Sequence, residues 1–258
     1  MIDLFNVLFL GIVQGLTEWL PVSSSGHLVI VQQIMGMNVP LLYDSMLHFG
    51  TLFAVIVFFW KDILKILKNL FTLNFKTEEG KLIIFIIVGT IPVALIGLLF
   101  YDTIESFFSN LLTIGISLII TGIILLFTKK SEGKKEITLF DSILIGIAQA
   151  FAILPGISRS GATISAGLIR GIDEEKVFRF SFLLSIPAII SANALELIKN
   201  PITETDFLPL FICIITAATI GYLSLRFLCN ILKKGKFYYF SFYCFILGLL
   251  VLIYSLII

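Results

Sequence analysis

The stretch Glu18–Leu28, EWLPVSSSGHL, sets a carboxylate, three consecutive serines and an imidazole inside an otherwise apolar run. A second stretch, PGISRSGAT at 155–163, sets Arg159 between Ser158 and Ser160 and follows them with Gly161. An ionisable side chain at the centre of a bilayer costs about 2.5–3.5 kcal/mol on insertion scales, so Glu18, His27 and Arg159 each need a functional or pairing reason. Together they offer a hydroxyl nucleophile, an imidazole, a carboxylate and a guanidinium. Arginine suits phosphate because its planar fork binds two oxygens at once. Serine- and glycine-rich turns that open helices at 23–28 and 158–163 aim backbone N–H groups at an anion. A serine with a histidine three residues on, as at Ser24 and His27, is an activated nucleophile in outline. Phosphoryl transfer is mostly positioning and charge stabilisation. Hydrolysis of a phosphate ester or pyrophosphate at a membrane fits every part.

Plain structural readings stand beside this one. Serine and glycine also serve close packing of membrane helices, a reading open to Ser23, Ser25, Ser160 and Gly161. Glu18 and Arg159 can form a structural ion pair, although His27 nearby weighs against that alone. Gln14 and Glu18 are four apart and so share one helical face. Asp44 and His48, also four apart, suit hydrogen bonding to the serine-rich segment, and Gln149 is read as structural.

The elements that hold these residues must lie in lipid. Of 258 residues 58% are hydrophobic and 14% charged, and the mean hydropathy is +1.07, far from an ordinary soluble domain. The chain reads as an all-α integral membrane protein. A net charge of +1 gives no footprint for nucleic acid. Cys213, Cys229 and Cys244 are odd in number and each sits in an apolar segment, which argues against a disulfide framework or metal cluster. The first twenty residues lack a basic leader and a cleavage site, so they are not read as a removable signal.

Six runs suit a crossing of roughly 17–25 residues, at 43–59, 82–100, 109–127, 178–198, 207–228 and 237–257. Lysines concentrate at 60–81, 129–136 and 229–236, whereas 101–108 and 200–206 carry only acidic charge. The positive-inside rule makes the first three cytoplasmic and the other two external. Residues 61–72, with Lys61, Lys65 and Lys68 at helical spacing, are expected to lie flat at the cytoplasmic interface. Residues 1–42 must then begin and end outside, and 137–177 inside, so each is expected to form a re-entrant helical hairpin broken at its proline. Both termini are expected to be external, in a multi-pass protein of the cell membrane.

The two hairpins are related. GIVQGLTEWLPVSSSG (11–26) laid on GIAQAFAILPGISRSG (146–161) at an offset of 135 matches Gly, Ile, Gln, Ser, Ser and Gly, and pairs Ser24 with Arg159. One copy enters from each side, which predicts an inverted-topology repeat with halves of about 1–128 and 137–258 in a single membrane domain. The broken turns should meet near the midplane and line a cavity, because non-helical backbone survives at that depth only inside protein or beside water.

At QGLTEWLPVSSSGHL (14–28), HFGTLFAV (48–55) and PGISRSGAT (155–163) the chain resembles the undecaprenyl-pyrophosphate phosphatase family, the bacitracin-resistance phosphatases of membranes, over essentially its whole length. The resemblance implies removal of the terminal phosphate from a polyprenyl diphosphate, which recycles the carrier for cell-wall glycan synthesis, with Mg²⁺ or Ca²⁺ assisting. It carries catalytic importance onto Glu18, Ser24, His27 and Arg159, with Ser23, Ser25, Ser158 and Ser160 as phosphate-site neighbours; Gly26, Gly161 and Gln14 are counted with them as substrate-binding candidates. Ser24 is assigned as nucleophile and His27 as the group that takes its proton. Arg159 grips the phosphates, and Glu18 holds the metal or orients His27. The choice among Ser23, Ser24 and Ser25 stays open, as do His27 and water as nucleophiles. Many members have a second glutamate where this chain has Gln14, which leaves Glu18 the one strong anionic metal ligand. A secondary transporter or lipid flippase of the same architecture and a non-catalytic scaffold are the competing readings. A homodimer is compatible with this reading.

Overall fold

The computed structural model describes residues 4–37, 39, 41–108, 110–130, 133–199 and 207–257. The acidic segment 200–206 and part of the 129–136 loop therefore lie outside the described residues. The described chain is helical, with one isolated bridge between Lys135 and Ile172 and no strand. In order the helices are α1 (Leu4–Thr17), α2 (Ser24–Ile34), α3 (Leu41–Phe58), α4 (Trp60–Phe71), α5 (Glu78–Leu99), α6 (Tyr101–Phe107), α7 (Leu111–Leu126), α8 (Leu139–Phe151), α9 (Arg159–Ile169), α10 (Glu174–Lys199), α11 (Phe207–Lys233) and α12 (Phe240–Ile257).

Five helical segments are long and apolar enough to cross a membrane: 78–99, 111–129, 174–199, 207–233 and 237–257. The sixth expected crossing, 43–59, falls on α3, one of the shorter apolar helices. The connecting segment at 101–108 carries the two-turn helix α6. Residues 61–72 form the amphipathic helix α4, where Ile63 and Ile66 pack inward and Lys61, Lys65 and Lys68 stay exposed.

Both broken segments stop and restart for local reasons. Proline disfavours helix at the residue before it and cannot donate a backbone hydrogen bond. Accordingly α1 ends four residues before Pro21 and α8 four residues before Pro155. Each chain restarts on a serine cap: Ser23 Oγ accepts from Gly26 N at 3.3 Å, and Ser158 Oγ accepts from Gly161 N at 3.1 Å. Pro92 and Pro187, by contrast, stay inside α5 and α10.

The starts of α1 and α8, Leu4 and Leu139, and of α2 and α9, Ser24 and Arg159, share the offset of 135 residues seen in the sequence. Helix α1 packs on α11, and α8 packs on α5. At the second contact a Cβ on Gly146 would lie 2.3 Å from the Gly89 carbonyl oxygen, so glycine allows the backbones to touch. Helices α3 and α10 lie against each other, as do α7 and α12. Trp19, Phe59, Phe178 and Phe182 form an aromatic core behind the broken turns, with Trp19 edge-on to Phe182 at 5.4 Å.

Candidate active site

The two turns interlock. Ser160 Oγ donates to the Leu20 carbonyl at 3.2 Å, Gly26 lies against Gly156, and Gly161 lies against Pro21. Gly156 adopts φ +93°, and a Cβ there would lie 2.7 Å from the Ile114 carbonyl oxygen, so this corner requires glycine. Thr121 on α7 fastens it, donating to the Gly156 carbonyl at 3.0 Å and accepting from Ser158 N at 3.1 Å.

Where the turns meet, Glu18 is buried with 7% exposure, and both its oxygens are engaged. Arg159 Nη2, from the first residue of α9, donates to Oε1 at 2.5 Å. Ser24 Oγ, from the first residue of α2, donates to Oε2 at 2.5 Å. The two residues paired by the internal offset thus flank one carboxylate. Gln14 Nε2 donates to Oε2 at 3.1 Å, as their spacing of four predicts. The Gln14 amide nitrogen also lies 3.0 Å from His48 Nδ1, which is itself 3.3 Å from Glu18 Oε2. One turn earlier on α3, Asp44 accepts from Gln32 of α2 at 3.0 Å. The Arg159 guanidinium stacks over the Trp19 ring at 5.1 Å, which holds its plane.

The hydroxyls expected to contact phosphate form two matching pairs: Ser23 with Ser25 and Ser158 with Ser160, each at 3.2 Å between Oγ atoms. Ser23 has φ +67°, rare for a residue with a side chain and typical of functional turns. His27 points elsewhere. Its Nδ1 lies 2.7 Å from the Ser23 carbonyl and its Nε2 2.7 Å from the Tyr243 hydroxyl, so its described hydrogen bonds do not include Ser24. Gln149 is buried, with neither side-chain amide atom hydrogen-bonded to protein. Trp19 and Tyr243 escaped the sequence reading, because nothing local separates them from other membrane aromatics. His48 and Asp44 were legible only as supports.

Among the described residues no group of three or more His, Cys, Asp or Glu side chains could hold a metal ion. Hard divalent cations take six or more oxygens, whereas Glu18 stands as a lone carboxylate against a guanidinium. These residues do not fit a resident divalent cation.

Comparison with known proteins identifies the family. The chain is 46% identical over 261 residues to an undecaprenyl-diphosphatase of Carboxydothermus hydrogenoformans, covering 96% of each chain. It is 42% identical to that of Halothermothrix orenii over 97% of this chain and 98% of the relative. With the Methanosphaera stadtmanae protein of the same name the identity is 38% over both full lengths. Residues 7–250 match the family described as bacitracin resistance protein BacA, and the chain belongs to that family.

Proposed function

We propose that this chain is a membrane phosphatase that removes the terminal phosphate of undecaprenyl or a similar polyprenyl diphosphate. The monophosphate carrier is thereby recycled for cell-envelope glycan synthesis, and the cell gains resistance to bacitracin. The observation that carries the reading is the meeting of Ser24 and Arg159 on the two oxygens of buried Glu18, in a member of a family whose relatives are undecaprenyl-diphosphatases.

The geometry favours Glu18, rather than His27, as the group that takes the Ser24 proton. The Ser24 oxygen then attacks the terminal phosphorus, the anhydride P–O bond breaks, and the electron pair leaves with the polyprenyl monophosphate. Glu18 gives this proton to the departing polyprenyl monophosphate and takes another from the water that attacks the phosphoserine; as the Ser24 Oγ–P bond breaks, Glu18 returns that proton to Oγ and inorganic phosphate leaves. Arg159 has further N–H groups for phosphate oxygens, and the N-termini of α2 and α9 add backbone donors. Ser23, Ser25 and Gly26, with Ser158, Ser160 and Gly161, shape those two termini.

Helix lengths support two re-entrant hairpins and a sixth crossing. At 1.5 Å per residue the 14 and 11 residues of α1 and α2, and the 13 and 11 of α8 and α9, reach only about 17–21 Å. The 18 residues of α3 reach about 27 Å, close to a hydrocarbon core of about 30 Å. The shared offset and the exchanged packing, α1 on α11 and α8 on α5, support an inverted repeat. The site then opens outward. Purified protein should release inorganic phosphate from undecaprenyl diphosphate, and a complete lack of release would return the transporter reading. In a background without Cys213, Cys229 and Cys244, Ser25→Cys should react with an impermeant thiol reagent added outside, and labelling only from the cytoplasm would reverse the orientation.

A further inference from the structure

We infer that Tyr243 is a positioning residue: acting through His27, it holds the Ser23 carbonyl and thereby sets Ser24 against Glu18. The inference rests on the phosphatase reading for its kinetic test alone.

The hydrogen-bond partners decide how His27 is used. A carbonyl oxygen can only accept, so Nδ1, at 2.7 Å from the Ser23 oxygen, carries a hydrogen. In the neutral ring Nε2 then holds a lone pair and accepts the Tyr243 O–H at 2.7 Å. The two rings lie parallel within 5° at 5.7 Å, which fixes the imidazole plane. Both ring nitrogens are therefore spent on a brace that runs from α12 to the turn.

The braced carbonyl belongs to the residue that most needs support. Ser23 sits at φ +67° and immediately precedes Ser24, whose hydroxyl donates to Glu18 at 2.5 Å. A non-glycine residue in that region persists only where its surroundings over-determine it. Helix α12 supplies a second tether beside the first, because the buried Cys244 thiol donates to the Pro21 carbonyl at 3.5 Å. The two tethers bracket Ser23 and Ser24 from one helix. The second turn has no equivalent: Ala162 stands where His27 does, and Thr121 of α7 fastens that turn instead.

The test measures phosphate release from undecaprenyl diphosphate by Tyr243→Phe, His27→Asn, His27→Ala and the double variant Tyr243→Phe/His27→Asn. Tyr243→Phe should lower kcat about tenfold, the scale of one lost hydrogen bond in the transition state, with KM within about twofold. His27→Asn, whose amide N–H can replace Nδ1–H on the Ser23 carbonyl, should match Tyr243→Phe, and the double variant should lose nothing more. His27→Ala should fall further. Wild-type kcat in Tyr243→Phe, or His27→Asn as inactive as His27→Ala, would overturn the inference, as would a full second loss in the double variant. The chain has two histidines, so ¹⁵N-histidine spectra give a readout independent of turnover. His27 should show hydrogen on Nδ1 alone, with an Nε2 resonance that moves in Tyr243→Phe; an unmoved resonance counts against the brace. If wild type releases no phosphate, the phosphatase reading fails while the spectra still decide the brace.

Discussion

The turn at Pro21–His27 and the turn at Pro155–Ala162 share one scaffold and differ in chemistry. Each restarts a helix of eleven residues on a serine cap, and each pairs two hydroxyls at 3.2 Å. At the offset of 135, however, Ile153 replaces Glu18, Arg159 replaces Ser24 and Ala162 replaces His27. The glutamines show the consequence: Gln14 donates to Glu18, while Gln149, with Ile153 where Glu18 stands, has no hydrogen-bond partner among the described residues. The two turns thus present similar helix N-termini, while their side chains differ: the carboxylate and its hydroxyl partner lie on one and the guanidinium on the other, which the proposed reaction uses as base, nucleophile and cation. On that reading neither turn suffices alone.

That division of labour can be broken at its centre first. Glu18→Gln should lower turnover by about 10³-fold or more, since it removes both the Ser24 proton acceptor and the anchor of Arg159. Adding Ile153→Glu should not recover phosphate release if only the first turn can host the carboxylate. Arg159→Lys keeps the charge yet should cost about 10²-fold, because a point charge cannot bind two oxygens as the fork does. A near-normal rate for that variant would sink the phosphate grip.

Stability should separate the turns less sharply, and thermal unfolding in detergent reads it. Gly156→Ala combines φ +93° with a 2.7 Å approach to the Ile114 carbonyl and should cost about 3 kcal/mol. At Gly26 the nearest atoms to an added Cβ are 3.4 Å away, so Gly26→Ala should cost less than about 1 kcal/mol. Equal losses would show that the corners carry the same strain. The smallest effect concerns the caps. Ser158→Ala should cost about 1 kcal/mol, whereas Ser23→Gly should be near neutral, because glycine relieves φ +67° while losing the cap.

Much of this architecture was legible because it is local. Proline next to a serine–glycine run favours ending one helix and capping the next, so both helix breaks could be placed before any packing was known. The spacing of Gln14 and Glu18 set their contact through helix periodicity, and the lysine spacing of α4 set its amphipathic face. Residues 101–108, read only as an acidic connecting segment, carry the two turns of α6, too short a stretch for periodicity to announce.

By itself, then, the sequence determined the all-helical membrane character, the two breaks, their shared offset and the polar side chains set beside them, all properties of composition and of neighbours within a helical turn or two. Only the tertiary structure decided which of those side chains meet. Arg159 reaches Glu18 across 141 residues, His48 approaches the same carboxylate from α3, and His27 turns from Ser24 to Tyr243 across 216 residues. The physical reason is that a buried polar group must find a partner once water is gone. Which partner it finds depends on how distant helices pack, and no local spacing encodes that.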